Sequence, residues 1–176
     1  MNGAMGINYV GNYLEQKASQ YLKTLGIHKP SDINIEQICA LENLDYRLGN
    51  ASSYIVVNEY RLITINKHKS SKQQNFEFLH ELSHNHFEHH IYLTQCSDFE
   101  QEACHFSLYL AIPIHMFQFI NFESDNLIQE VSDMFNIPEE IAYQRLQNIF
   151  DNYNYYNIFL PPKRTYVLIV FIQTDI

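Results

Sequence analysis

Phe76-Glu77-Phe78-Leu79-His80-Glu81-Leu82-Ser83-His84 is the stretch from which the rest of this chain is read. It holds an H-E-x-x-H pattern, and on a helix residues four apart share a face, so His80 and His84 can grip one ion. Zn²⁺ suits that arrangement because it takes imidazole nitrogens and a carboxylate tetrahedrally and leaves a fourth position for water. Glu81, beside the first histidine, is placed to take a proton from such a water as it attacks a carbonyl. Upstream, Ser70 with Gln73 three residues later signals a helix start. Phe76, Phe78, Leu79, Leu82 and Phe87 fall on several faces of that helix and predict that it is mostly buried. Two histidines and a carboxylate in a buried helix need partners, which a metal supplies.

A third protein ligand is expected downstream, in Ser97-Asp98-Phe99-Glu100-Gln101-Glu102-Ala103-Cys104-His105-Phe106. Ser97 and Glu100 have the spacing of a capping box, which predicts that Glu100 folds back on the helix N-terminus. The apolar stripe runs through Phe99, Ala103, Phe106 and Leu110, and Glu102 borders it while Glu100 turns away. Glu102 is therefore the expected third ligand, with His105 as its rival.

With these residues in view, the segment 76–84, followed by Glu100-Gln101-Glu102-Ala103 and Leu110-Ala111-Ile112-Pro113, resembles the ImmA/IrrE family of metallopeptidases. That family pairs an H-E-L-G-H helix with a second helix reading E-x-E-A and ending in L-L-M-P. Ile63-Thr64-Ile65-Asn66 is similar to its preceding strand, and Phe135-Asn136-Ile137-Pro138-Glu139-Glu140 with Arg145-Leu146 to its later helical part. Ser83 stands where the family has glycine, and Asn75 where an arginine is common. The resemblance implies zinc ligands His80, His84 and Glu102, with Glu81 as the catalytic carboxylate. It also implies the substrate: a helix-turn-helix repressor of a phage or mobile element, cleaved to relieve repression.

The remaining chain sets the frame. A length of 176 residues with 46% hydrophobic content suits one domain with a real core. A net charge of −9 with 11 Lys+Arg argues against direct nucleic-acid binding, which needs a basic face. Cys39, Cys96 and Cys104 follow no C-x-x-C spacing and predict no disulfide framework. The opening residues lack a basic segment followed by an apolar one, and the longest apolar run, Tyr166 to Ile172, is too short to span a bilayer. The expectation is a cytoplasmic protein without membrane contact.

In chain order, Leu14, Ala18, Tyr21, Leu22 and Leu25 predict a helix closed by Gly26, and Asn34 with Gln37 opens a second. Tyr46–Leu48, Tyr54–Val57 and Leu62–Ile65 predict three short strands in a small antiparallel sheet flanking the H-E-x-x-H helix. Leu127, Ile128, Val131 and Phe135 mark another helix, and Pro138 starts one more. Residues 152–157 read as a connector, and Thr165–Ile172 as an apolar strand that needs a partner. His86, His89 and His90 read as a solvated helix end. Tyr109 is on the Glu102 side of its helix, within conceivable reach of a metal but with core packing as its expected role.

The fold class expected is thus α+β, a mostly helical zincin-like metallopeptidase domain over residues 1–155, with a C-terminal extension over 156–176. The expected function is zinc-dependent endopeptidase action on a repressor. The alternative is a non-catalytic protein in which zinc staples two helices and an acidic surface docks a DNA-binding regulator.

Overall fold

The computed structural model describes residues 9–89 and 97–157. The predicted strand at 165–172, His90 and Cys96 lie outside them. Helix α1 (Tyr13–Thr24) is opened by Asn12, whose side chain accepts from the Glu15 N–H while Glu15 reaches back to the Asn12 N–H. It is closed, as expected, by Gly26 at φ +73°, a backbone region that glycine enters without steric cost. Helix α2 (Ile35–Glu42) is capped by Asn34, which accepts from Gln37. A short 3₁₀ turn, Pro30–Asp32, joins the two.

The sheet comprises β1 (Asp45–Gly49), β2 (Ser53–Val57) and β3 (Tyr60–Asn66), in the order β1-β3-β2. β2 and β3 are antiparallel, Tyr54 opposite Ile63, but β1 runs parallel to β3, Tyr46 opposite Ile63. The sheet is therefore mixed, which corrects the antiparallel expectation. Composition identifies strands, whereas the order in which they pair depends on how loop 50–52 crosses the end of β3. As the central strand, β3 is buried from Leu62 through Ile65.

After a connection of four residues comes α3 (Ser71–His86), with the Ser70–Gln73 capping box in place. It packs on α4 (Ser97–Ala111), on β3 and on β2. Phe78, Leu79 and Leu82 of α3 join Ile63 and Ile65 of β3, Phe106 and Leu110 of α4 and Leu22 of α1 in a fully buried core. Asn85, buried on α3, ties the sheet to this helix by accepting from the Tyr54 hydroxyl at 2.9 Å and from Arg61 at 3.1 Å. After a 3₁₀ segment, Ile114–Phe119, come α5 (Leu127–Phe135) and α6 (Glu139–Asn157). Helix α6 runs on through residues 152–157, correcting the connector expected there. Among the described residues no helix is long and apolar enough to cross a membrane.

Asn75, which stands where arginine was expected, has a definite structural role. Its amide donates to the carbonyls of Phe135 (3.4 Å) and Asn136 (3.0 Å), at the end of α5 where Asn136 adopts φ +50°. Asn75→Ala would leave those carbonyls short of a donor in a buried setting. The expected cost is about 1–3 kcal/mol, read as a lower urea midpoint with an unchanged slope.

Candidate metal centre

Helix α3 presents His80 and His84 one turn apart, with both imidazoles directed toward α4. Their Nε2 atoms are 3.2 Å apart. Between them comes a carboxylate from α4: Glu100 Oε1 is 2.9 Å from His80 Nε2, and Glu100 Oε2 is 3.4 Å from His84 Nε2. These three residues are the group of potential metal ligands found among the described residues. Their spacing answers whether an ion fits. Donors about 2.0–2.1 Å from a tetrahedral Zn²⁺ stand about 3.3–3.4 Å from one another, and these side chains are already near that separation. Two imidazole nitrogens and one carboxylate are also the donor types that Zn²⁺ takes. Burial, followed by the neighbouring His80, pushes the His84 imidazole down to about 4. It is then neutral at ordinary pH, the state that can ligate.

Glu102, the third ligand expected from the sequence, is not in this cluster. Its carboxylate lies 3.1 Å from His89 Nε2 instead. The physical reason is that the exposed Glu100 reaches His80 and His84 from the solvent edge of the α3–α4 seam, while Glu102, nearer the apolar stripe, is drawn to His89. The side of α4 carrying Phe99, Glu102 and Phe106 meets the end of α3 and the turn after it, where Phe87, His86 and His89 gather. Nor does Glu100 cap its own helix, since its carboxylate spans the gap to α3. His105, the rival, is exposed and outside the cluster.

Glu81 receives a hydrogen bond from the Tyr54 backbone of β2 and lies close enough to Glu100 to feel its charge. Burial, then the charges of Glu100 and Glu77, raise its carboxyl to about 7. The Tyr54 bond opposes that rise without cancelling it. A carboxylate that holds protons this readily is a competent base near neutral pH.

The other sequence candidates resolve as follows. Tyr109 is buried away from the cluster, its hydroxyl accepting from Asn12 at 3.3 Å and its ring beneath Arg145 at 4.9 Å, so packing is its role. The solvated end expected for His86 and His89 is not what forms. His86 stacks on Phe106 with ring centres 4.7 Å apart, and burial lowers it to about 4. His89 is 8% exposed. His89 and the contact made by Glu100 are the site features that sequence reasoning missed. Neither has a local signal, because both depend on where the chain returns after α3.

Against known proteins, the model of the Peptidase_M78 family, described as the IrrE N-terminal-like domain, matches residues 40–147. Neither the curated proteins nor the solved structures yield a significant match.

Proposed function

The chain belongs to the Peptidase_M78 family of IrrE N-terminal-like domains, and from that premise we propose that it is a zinc-dependent endopeptidase whose ligands are His80, His84 and Glu100. The observation that carries the reading is the convergence of those three side chains at tetrahedral spacing, with Glu81 one residue from the first ligand. Zinc, when bound, polarises a scissile carbonyl and lowers the pKa of a water. What the chain's own residues do follows from their surroundings. Glu81 takes a proton and returns it to the leaving amine, a task matched to its raised carboxyl. β2 is an edge strand whose Tyr54 backbone reaches Glu81. An extended peptide added along that edge, held by main-chain hydrogen bonds, would run close to Glu81.

The substrate proposed, on the strength of the family resemblance, is a helix-turn-helix repressor of a phage or mobile element. An acidic chain of net charge −9 favours encounter with a basic DNA-binding partner. The working compartment proposed is the cytoplasm.

Elemental analysis of the purified chain, run beside repressor proteolysis, tests this. The expected result is about one zinc per chain, lost in His80→Ala and Glu100→Ala, with cleavage that ends on chelation. Zinc lost in Glu102→Ala but kept in Glu100→Ala would restore Glu102 as the third ligand. Repressor bound but never cut by the zinc-loaded chain would replace the endopeptidase with a zinc-stapled docking protein.

A further inference from the structure

Beyond the ligands, a second line of contacts runs from His84 into the protein. His84 Nδ1 lies 2.9 Å from His89 Nδ1, and His89 Nε2 lies 3.1 Å from the Glu102 carboxylate. The turn that makes this possible is strained. Glu88 sits at φ +56°, a backbone region costly for a side chain of its kind, and it swings the chain back so that His89 lies against α3. There the imidazole is held between Phe87, 5.5 Å away at 15°, and Phe99, 4.7 Å away at 21°. The ring is buried and both of its nitrogens have partners.

With an ion held at His84 Nε2, the protons along this line have a definite placement. His84 turns Nε2 toward His80 and Glu100, and a zinc ligated there would need that nitrogen bare, so Nδ1 would carry the hydrogen and donate. His89 Nδ1 must then accept, which puts the His89 hydrogen on Nε2, and Glu102 accepts that one. Every donor meets an acceptor. Among the described residues His80 has no comparable support: its Nδ1 is 3.9 Å from Cys104 Sγ, a weak acceptor.

We propose that His89 and Glu102 are positioning residues, a carboxylate–imidazole relay that fixes the tautomer and ring orientation of His84 for zinc. This rests on the zinc reading above. Metal-ligating histidines commonly lean on a carboxylate through the second ring nitrogen. Here one further imidazole is interposed, and the carboxylate that borders the apolar stripe of α4 serves the metal through it.

The test is zinc affinity, measured by competition with a chromophoric chelator, with thermal melting of the metal-free variants as the control for folding. His89→Leu is expected to bind zinc about 10–100-fold more weakly than the wild type. His89→Asn, whose amide can still accept from His84 and donate to Glu102, should recover most of that loss. Glu102→Ala should weaken binding by a similar factor, and adding it to His89→Leu should cost little more, because both act on one relay. With Co²⁺ in place of zinc, His89→Leu should alter the visible absorption of the ion while His89→Asn restores it. Wild-type affinity in a folded His89→Leu would overturn the relay and leave the zinc site standing. Equal losses in His89→Asn and His89→Leu would reduce His89 to packing and overturn it too. A wild-type chain that takes up no zinc after reloading would overturn both this inference and the reading on which it rests.

Discussion

Glu81→Gln is expected to keep its zinc and lose its proteolysis, by about 10²–10⁴-fold, the usual contribution of a positioned acid–base group. The two halves of that result have separate origins. Glu81 is not among the three converging side chains proposed to hold the ion, so losing its charge should remove no donor from it. The amide that replaces it has nearly the same shape but neither takes up nor delivers a proton. Retained cleavage with zinc bound would sink the assignment of Glu81 as the base. The same substitution has a second, opposite signature in the metal-free chain. Burial raises the Glu81 carboxyl from 4.5 to about 7, so the folded state holds a proton that the unfolded chain has released. Stability from this group is present at low pH and is lost as pH rises from about 4.5 through about 7. Glu81→Gln should therefore stabilise the chelator-treated protein at pH 8, on the order of 2–3 kcal/mol, and change little at pH 4. Urea midpoints at the two pH values would show it. An equal shift at both would mean that the carboxylate carries no such penalty.

The second large effect concerns stability alone. Arg145 on α6 and Glu15 on α1 are both fully buried, with Arg145 Nη1 2.6 Å from Glu15 Oε1. The contact lies off the N–H direction and acts as charge pairing rather than as an aligned hydrogen bond. Around it, Arg145 Nε donates to the Ile112 carbonyl at 3.2 Å, and the guanidinium lies over the rings of Tyr109 and Phe117. Glu15 also accepts from the Tyr9 hydroxyl at 2.6 Å and the Asn12 N–H at 2.7 Å. Removing one partner leaves a bare charge in the core. Arg145→Met is expected to cost about 3–5 kcal/mol, whereas replacing both residues costs less than the sum of the two single changes. Chemical denaturation of the two single variants and the double variant would decide it. Additive losses would mean that the pair is not coupled.

How much of this was legible in the sequence depended on how local each signal was. Asn34 and Ser70 opened their helices through side-chain contacts within three residues, and Gly26 closed one through its own φ. Such features are written into consecutive letters. His80 and His84 belong with them, since four-residue spacing on one helix brings them together whatever the rest of the chain does. The third carboxylate was another matter. Glu100 and Glu102 are two residues apart and point to different neighbours. Which of them faces His80 and His84 depends on how α4 lies against α3. The parallel pairing of β1 with β3 and the folding-back of His89 were hidden for the same reason. Each is a relation between segments, and neither leaves a pattern within one.

The Arg145–Glu15 pair also says where this domain can be cut. The family match begins at residue 40, yet the partner of its buried arginine lies on a helix that precedes it. Tyr9, which donates to Glu15, is in turn held by the Asn152 amide at 3.1 Å. The first and last parts of the described chain thus close on one another around a single charge. An expression fragment trimmed to the recognisable motif would lose α1 and expose Arg145 to an emptied core. The practical unit for any library or shortened version of this domain is the motif together with the helix that comes before it.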